Sequence, residues 1–219
     1  MKNRCITIVS FAAAAALCLS AVSCKSSKQV EEAFKTDWVG YTNDNTQKFD
    51  RFFTTDEFGQ FSMIEGEFKK TSGYEKSCYG FVFGYTQQDY GKLPNYIRFE
   101  INADGQYGLY SWDGTNYTDL VEANDKGTAY LYDNASIVKG LNQVNKLRIE
   151  QDTTTNKYTL YINGTKVASN IYPLVKGQHG AMAFYSVGKS DQEKFPASPV
   201  NVSYRITDST KYVAPKTKK

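Results

Sequence analysis

The chain has 219 residues, 41% hydrophobic, 15% aromatic and 22% charged, which fits one globular domain and excludes a fibrous or wholly disordered chain. Its 17 Tyr and 13 Phe far outnumber 3 Met and 2 Trp, and helix-period apolar runs are missing from its body, so an all-β fold is expected. The formal net charge of +3 is dispersed among acids, which argues against a nucleic-acid partner.

Met1 to Ser23 reads as a secretory leader. Lys2 and Arg4 open it, an alanine-rich apolar run follows from Cys5 to Leu19, and Ser20-Ala21-Val22-Ser23 closes it. The apolar run falls short of the ~20 residues that span a bilayer. Loss of the leader removes Lys2 and Arg4 and lowers the net charge from +3 to +1. Ala21-Val22-Ser23-Cys24 resembles a bacterial lipobox. That resemblance implies cleavage before Cys24, acylation of its thiol and permanent attachment to a membrane. Lys25 rather than Asp follows the cysteine, which points to the outer membrane of the cell envelope. The alternative is an ordinary cleaved leader with an incidental cysteine. The expected organisation is leader 1–23, lipidated cysteine and polar tether 24–36, one domain 37–207 and a basic tail 208–219. With Cys24 acylated, Cys78 has no disulfide partner and reads as a small buried filler.

Trp38 to Gly59 offers no clear strand pattern. Beyond it, Phe61–Lys69, Cys78–Tyr85, Tyr96–Asn102, Tyr107–Trp112 and Tyr117–Val121 read as strands separated by turn residues. Gly80 and Gly84 share one face of their strand and imply a close approach there. Asp104-Gly105 reads as a two-residue hairpin turn, which would set Phe99 opposite Tyr110 and Ile97 opposite Trp112 on a core face that also holds Ile101. Arg98 and Glu100 would then face Ser111 and Leu109 on a polar side. Asn124 to Leu141 reads as a long connection with a short segment at Ala129–Tyr132. From Asn145, Leu147 and Ile149 alternate with Lys146, Arg148 and Glu150, the half-buried strand pattern. A bend at Asp152–Asn156 leads to Tyr158–Ile162. Asn163-Gly164 then predicts a type I′ turn placing Leu160 opposite Val167 and Tyr161 opposite Lys166. His179, in Gly-Gln-His-Gly, reads as a turn residue before strands at Ala181–Ser186 and Val200–Ile206. Some ten strands in antiparallel pairs predict a sandwich.

YGFVFGY at Tyr79–Tyr85, NYIRFEINADGQYGLYSW at Asn95–Trp112, NKLRI from Asn145, YTLYINGTKVA from Tyr158 and GAMAFY from Gly180, taken in order, resemble bacterial laminin G-like and concanavalin A-like domains over roughly Phe61 to Tyr185. The resemblance implies an all-β, antiparallel jelly-roll sandwich of two sheets. Such folds serve as carbohydrate-binding modules, as adhesive or sensory modules and as glycoside hydrolases, so the fold leaves the chemistry open.

Tyr96, Arg98, Glu100 and Tyr107 would share the polar side of the central hairpin, able to stack a sugar ring and bond its hydroxyls. The plainer reading is a solvent-facing strand. Glu65 and Glu67, about 6.6 Å apart along a strand, are the carboxylate pair a hydrolase would need. Phe68 and Lys69 stand where the Glu-x-Asp-x-x-Glu run of such hydrolases carries its further acid. No cofactor is implied. Laminin G-like domains often hold calcium at a loop rim, and Asp89, Asp113 and Asp125 lie in loops, though no dense acidic run supports a site. Phosphate-loop, Cys/His metal and serine-elbow motifs are absent. The Asn-x-Ser/Thr triplets at Asn116, Asn134, Asn163 and Asn201 carry no weight in a bacterial lipoprotein. The expected function is a lipid-anchored, non-catalytic module that binds glycan. The alternatives are a glycoside hydrolase and a structural or adhesion protein binding a cell-envelope or surface protein.

Overall fold

The computed structural model describes residues 37–43, 51–85, 95–121, 131–172, 178–185 and 200–213. These residues form thirteen strands and no helix. One sheet of six runs from edge to edge as β1 (Val39–Asn43), β13 (Val200–Lys211), β3 (Phe61–Ser72), β9 (Val144–Gln151), β10 (Tyr158–Ile162) and β11 (Thr165–Ile171). The second, of seven, runs as β2 (Arg51–Gly59), β12 (Gln178–Tyr185), β4 (Tyr79–Tyr85), β5 (Tyr96–Ile101), β6 (Gln106–Trp112) and β7 (Tyr117–Asp119), with β8 (Tyr132–Asp133) also on β6. All pairings are antiparallel. The expected jelly-roll sandwich of two sheets is what the chain adopts. The strands not anticipated between Trp38 and Gly59 are β1 and β2, which pair with β13 and β12.

Alternation builds the shared core. Leu147 and Ile149 of β9 and Leu160 and Ile162 of β10 are buried, with Leu160 opposite Ile149. They meet Phe81, Phe83, Ile97, Phe99, Ile101 and Leu109 of the other sheet. Phe68 packs edge-on to Phe81 at 4.9 Å and lies against Tyr204 at 5.9 Å. Each such side chain adds about 1.5–3 kcal/mol on leaving water.

Four local expectations change. Ile101 pairs with Tyr107, Phe99 with Leu109, Ile97 with Ser111 and Arg98 with Tyr110, one residue away from the two-residue-turn register. The cause is Asn102, whose backbone N–H donates to the Gln106 carbonyl at 2.9 Å while its side-chain oxygen accepts from the Gln106 N–H at 2.9 Å. The loop is therefore Ala103-Asp104-Gly105, three residues ending on a glycine at φ 92°, a standard longer hairpin. A slip of one residue exchanges faces. Tyr107 consequently joins the core between the sheets, while Tyr110 and Trp112 leave the expected core set for the side that carries Arg98.

In the β10–β11 hairpin, Asn163 and Gly164 take φ of 50° and 82°, and Tyr161 pairs with Lys166 as expected. Leu160 pairs with Ala168 instead of Val167, because Val167 is the extra residue of a bulge. His179 lies in β12 opposite Phe83 and Gly59, not in a bend. The last strand continues past Ile206 to Lys211, beside Phe61. At Gly80 the close approach comes from the adjoining strand: a Cβ there would overlap the Phe99 carbonyl oxygen and meet the Glu100 Cα at 3.0 Å.

The crossover from β3 to β4 is held by Lys70, fully buried. Its ammonium donates to the carbonyls of Tyr74 and, at 3.1 Å, Ser77. Burial pushes its pKa down to about 7, with Glu75 pulling the other way. Above about pH 7 the native chain has released this proton while the unfolded chain, at 10.5, retains it. Native stability is therefore expected to rise with pH, by at most about 1.4 kcal/mol per unit. The clean window closes near 9, the ordinary value for Cys78, whose native thiol is pushed well above it. Denaturant melts across this window should show the slope in the wild type and a flatter one in Lys70→Met; parallel slopes would show that Lys70 titrates in both states alike.

Candidate functional site

The corrected register gathers one face. Tyr96, Arg98 and Glu100 of β5 lie beside Trp112, Tyr110 and Gly108 of β6, and Tyr117 of β7 lies opposite Trp112. This is the side of the seven-stranded sheet turned away from the shared core. Every residue of β5 is buried on both faces, so Tyr96, Arg98 and Glu100 form no open strand surface. Cys78, Val82 and Tyr96 make a small second core there, with Trp112, Tyr117 and Leu131 packed partly exposed against it.

Inside this layer Arg98 Nε stands 3.0 Å from Glu100 Oε2, the side chains 4% and 2% exposed. The guanidinium carbon lies 5.1 Å from the Tyr110 ring centre and 5.2 Å from that of Tyr117, within cation–π range. The Tyr96 and Tyr117 hydroxyls share a hydrogen bond of 2.9 Å. Trp112 and Tyr117 meet at 4.6 Å between ring centres, inclined by 45°. A half-exposed aromatic pair thus stands in front of a buried, charge-balanced arginine. Burial pushes up the Tyr110 hydroxyl, with Glu100 adding to it. Burial followed by Glu100 likewise pushes the Cys78 thiol up, against Arg98 and Lys70, so Cys78 is neutral and the filler it was expected to be rather than a nucleophile.

Of the four binding residues expected from sequence, Tyr96, Arg98 and Glu100 are brought together and Tyr107 is not. Trp112, Tyr117 and Tyr110 were missed as members of this face. The available signal was parity, because a three-residue loop puts Trp112 on the side of Arg98, but both faces of β6 carry aromatics and the pattern alone does not choose.

Glu65 and Glu67 sit on the outer face of the other sheet. Glu65 accepts from Lys146 at 3.2 Å, with Arg148 at 4.0 Å, and Glu67 from Arg205 at 2.7 Å. Both carboxylates are therefore engaged in cross-strand ion pairs on that face. Asp113 turns its Oδ1 onto its own loop, accepting from Thr115 and Asn116. Among the described residues no group of three or more His, Cys, Asp or Glu converges as a metal site. Cys24, Asp89 and Asp125 lie outside the described residues.

No protein-family profile and no curated protein matches the chain. Among solved structures it is similar to the carbohydrate-binding module CBM66 from Bacillus subtilis, with 12% identity over 80% of this chain and 95% of that one, at a TM-score of 0.44. It is similar also to a Bacillus licheniformis β-glucanase, with 12% identity over 74% and 71%, at 0.47. A third is a prokaryotic β-1,3-1,4-glucanase (lichenase) derived from a mouse hindgut metagenome, with 14% identity over 80% and 79%, at 0.48. Likeness of this degree carries no argument about activity, and the jelly-roll assignment rests on the strand order above.

The buried ion pair makes a direct prediction. Arg98→Met strands the Glu100 charge and should cost about 3–5 kcal/mol, whereas Arg98→Met combined with Glu100→Leu should recover most of it. Additive losses in a double-mutant cycle read by denaturant melts would show that the two charges are not coupled.

Proposed function

We propose that this chain is a non-catalytic carbohydrate-binding module whose ligand meets the Trp112–Tyr117 pair at the margin of the seven-stranded sheet. The carrying observation is that these half-exposed rings are set by a buried scaffold, with Tyr117 bonded to Tyr96 and backed by Arg98. A sugar ring presents an apolar face that stacks on aromatics, and rings already locked in place lose little entropy on binding. The buried Arg98–Glu100 pair serves as foundation rather than contact. The concanavalin A-like and laminin G-like resemblance of the motifs adds to this reading, as does the sandwich they build.

The module works outside the cytoplasm, held in the cell envelope by acylated Cys24. The support is the lipobox-like Ala21-Val22-Ser23-Cys24 after an apolar leader. Mass spectrometry of the mature amino terminus should find an acylated Cys24; an unmodified terminus at any other residue removes the anchor.

Affinity electrophoresis against a panel of soluble polysaccharides should identify a retarding glycan for the wild type. Trp112→Ala and Tyr117→Ala should each reduce retardation at least ~10-fold, the loss of about 1.4 kcal/mol of stacking. Undiminished retardation in both variants, with unchanged melting temperature, would remove this face as the binding site.

A further inference from the structure

We propose that Asn163-Gly164 is a latent deamidation site that the native hairpin protects and whose product the hairpin cannot take back. The chemistry follows from the residue pair. The Gly164 backbone nitrogen, with no side chain to crowd it, attacks Asn163 Cγ; a new N–C bond forms as the Cγ–Nδ2 bond breaks. The amide proton of Gly164 leaves with the departing nitrogen as ammonia. Water then opens either C–N bond of the cyclic imide, giving aspartate or isoaspartate, so one amide and one water become one carboxylic acid and one ammonia.

Asn163 and Gly164 are solvent-exposed, so exclusion of water does not protect them. Hydrogen bonds do. Asn163 Oδ1 accepts from the Lys146 N–H at 2.7 Å. Its Nδ2 donates to the Ser136 carbonyl at 2.6 Å and to Asn145 Oδ1 at 2.8 Å. Asn145 is buried and its own amide brackets Val138, accepting from the N–H at 2.8 Å and donating to the carbonyl at 3.0 Å. The leaving nitrogen and the carbonyl oxygen of Asn163 are thus both tied to β9 and to the 134–138 loop. The attack requires that grip to be released, which happens only when the hairpin opens locally.

The product meets the same partners with the wrong chemistry. A carboxylate at 163 has no N–H to give Ser136 or Asn145, and sets a negative charge against two acceptor oxygens. Isoaspartate also lengthens the backbone of a two-residue turn, whose geometry sets the β10–β11 register. Each opening of this edge hairpin therefore risks a one-way conversion.

The test compares the folded full-length chain with the same chain unfolded in guanidinium chloride, both at mildly alkaline pH. Deamidation is read by mass spectrometry of the tryptic peptide Tyr158–Lys166. The folded chain should convert at least ~10-fold more slowly, an opening free energy above about 1.4 kcal/mol. Equal rates would overturn the protection. The aspartate product is tested with Asn163→Asp, which should melt well below the wild type or fail to fold; an unchanged melting temperature would show that the hairpin accepts the product and overturn that part of the proposal.

Discussion

Asn102 bridges to Gln106 through backbone and side chain at once, and that bridge governs what β5 and β6 present to either side. A hairpin closed by two residues and one closed by three differ by one step in register, and in a pleated sheet one step inverts the faces. The choice made here sends Tyr107 and Leu109 into the space between the sheets and returns Tyr110 and Trp112 to Arg98 and Glu100. The main core and the candidate site are two outcomes of one turn.

The two sheets manage their outer faces differently. In β9, β10 and β13 buried and part-exposed residues alternate, the usual condition of an antiparallel sheet with one wet face. On that wet face Glu65 lies between Lys146 and Arg148, and Glu150 between Arg148 and the Tyr161 hydroxyl. Such pairs add little stability each. The centre of the other sheet is covered on both sides, and the charges there are buried. A buried pair costs several kcal/mol of desolvation and holds only when its geometry is good. The Arg98 guanidinium lies between the rings of Tyr110 and Tyr117, 5.1 and 5.2 Å from their centres.

Asparagine does much of the backbone work. Asn142, Asn156, Asn163 and Asn170 all adopt positive φ, where a short polar side chain is the least strained alternative to glycine. Asn163 adds a second role, since its amide joins β9, β10 and the 134–138 loop in one network with Asn145. The same group that makes the turn secures it, and makes that turn chemically vulnerable once opened.

Sequence alone determined the fold class, most strand positions and the buried status of Leu147, Ile149 and Leu160, because a period of two and an Asn-Gly turn are local properties of the chain. It also brought Tyr96, Arg98 and Glu100 to notice. It could not tell a two-residue from a three-residue turn around Asp104-Gly105, since Tyr107, Leu109, Tyr110 and Trp112 make either face of β6 a plausible core face. Nor could it show that the side bearing Arg98 and Glu100 is covered, because alternation reports which residues share a face and not what lies over it. Those two matters were decided only by tertiary structure: the Asn102 bridge set the parity, and packing of Tyr110 and Tyr117 about Arg98 turned an expected open surface into a buried foundation with Trp112 at its margin.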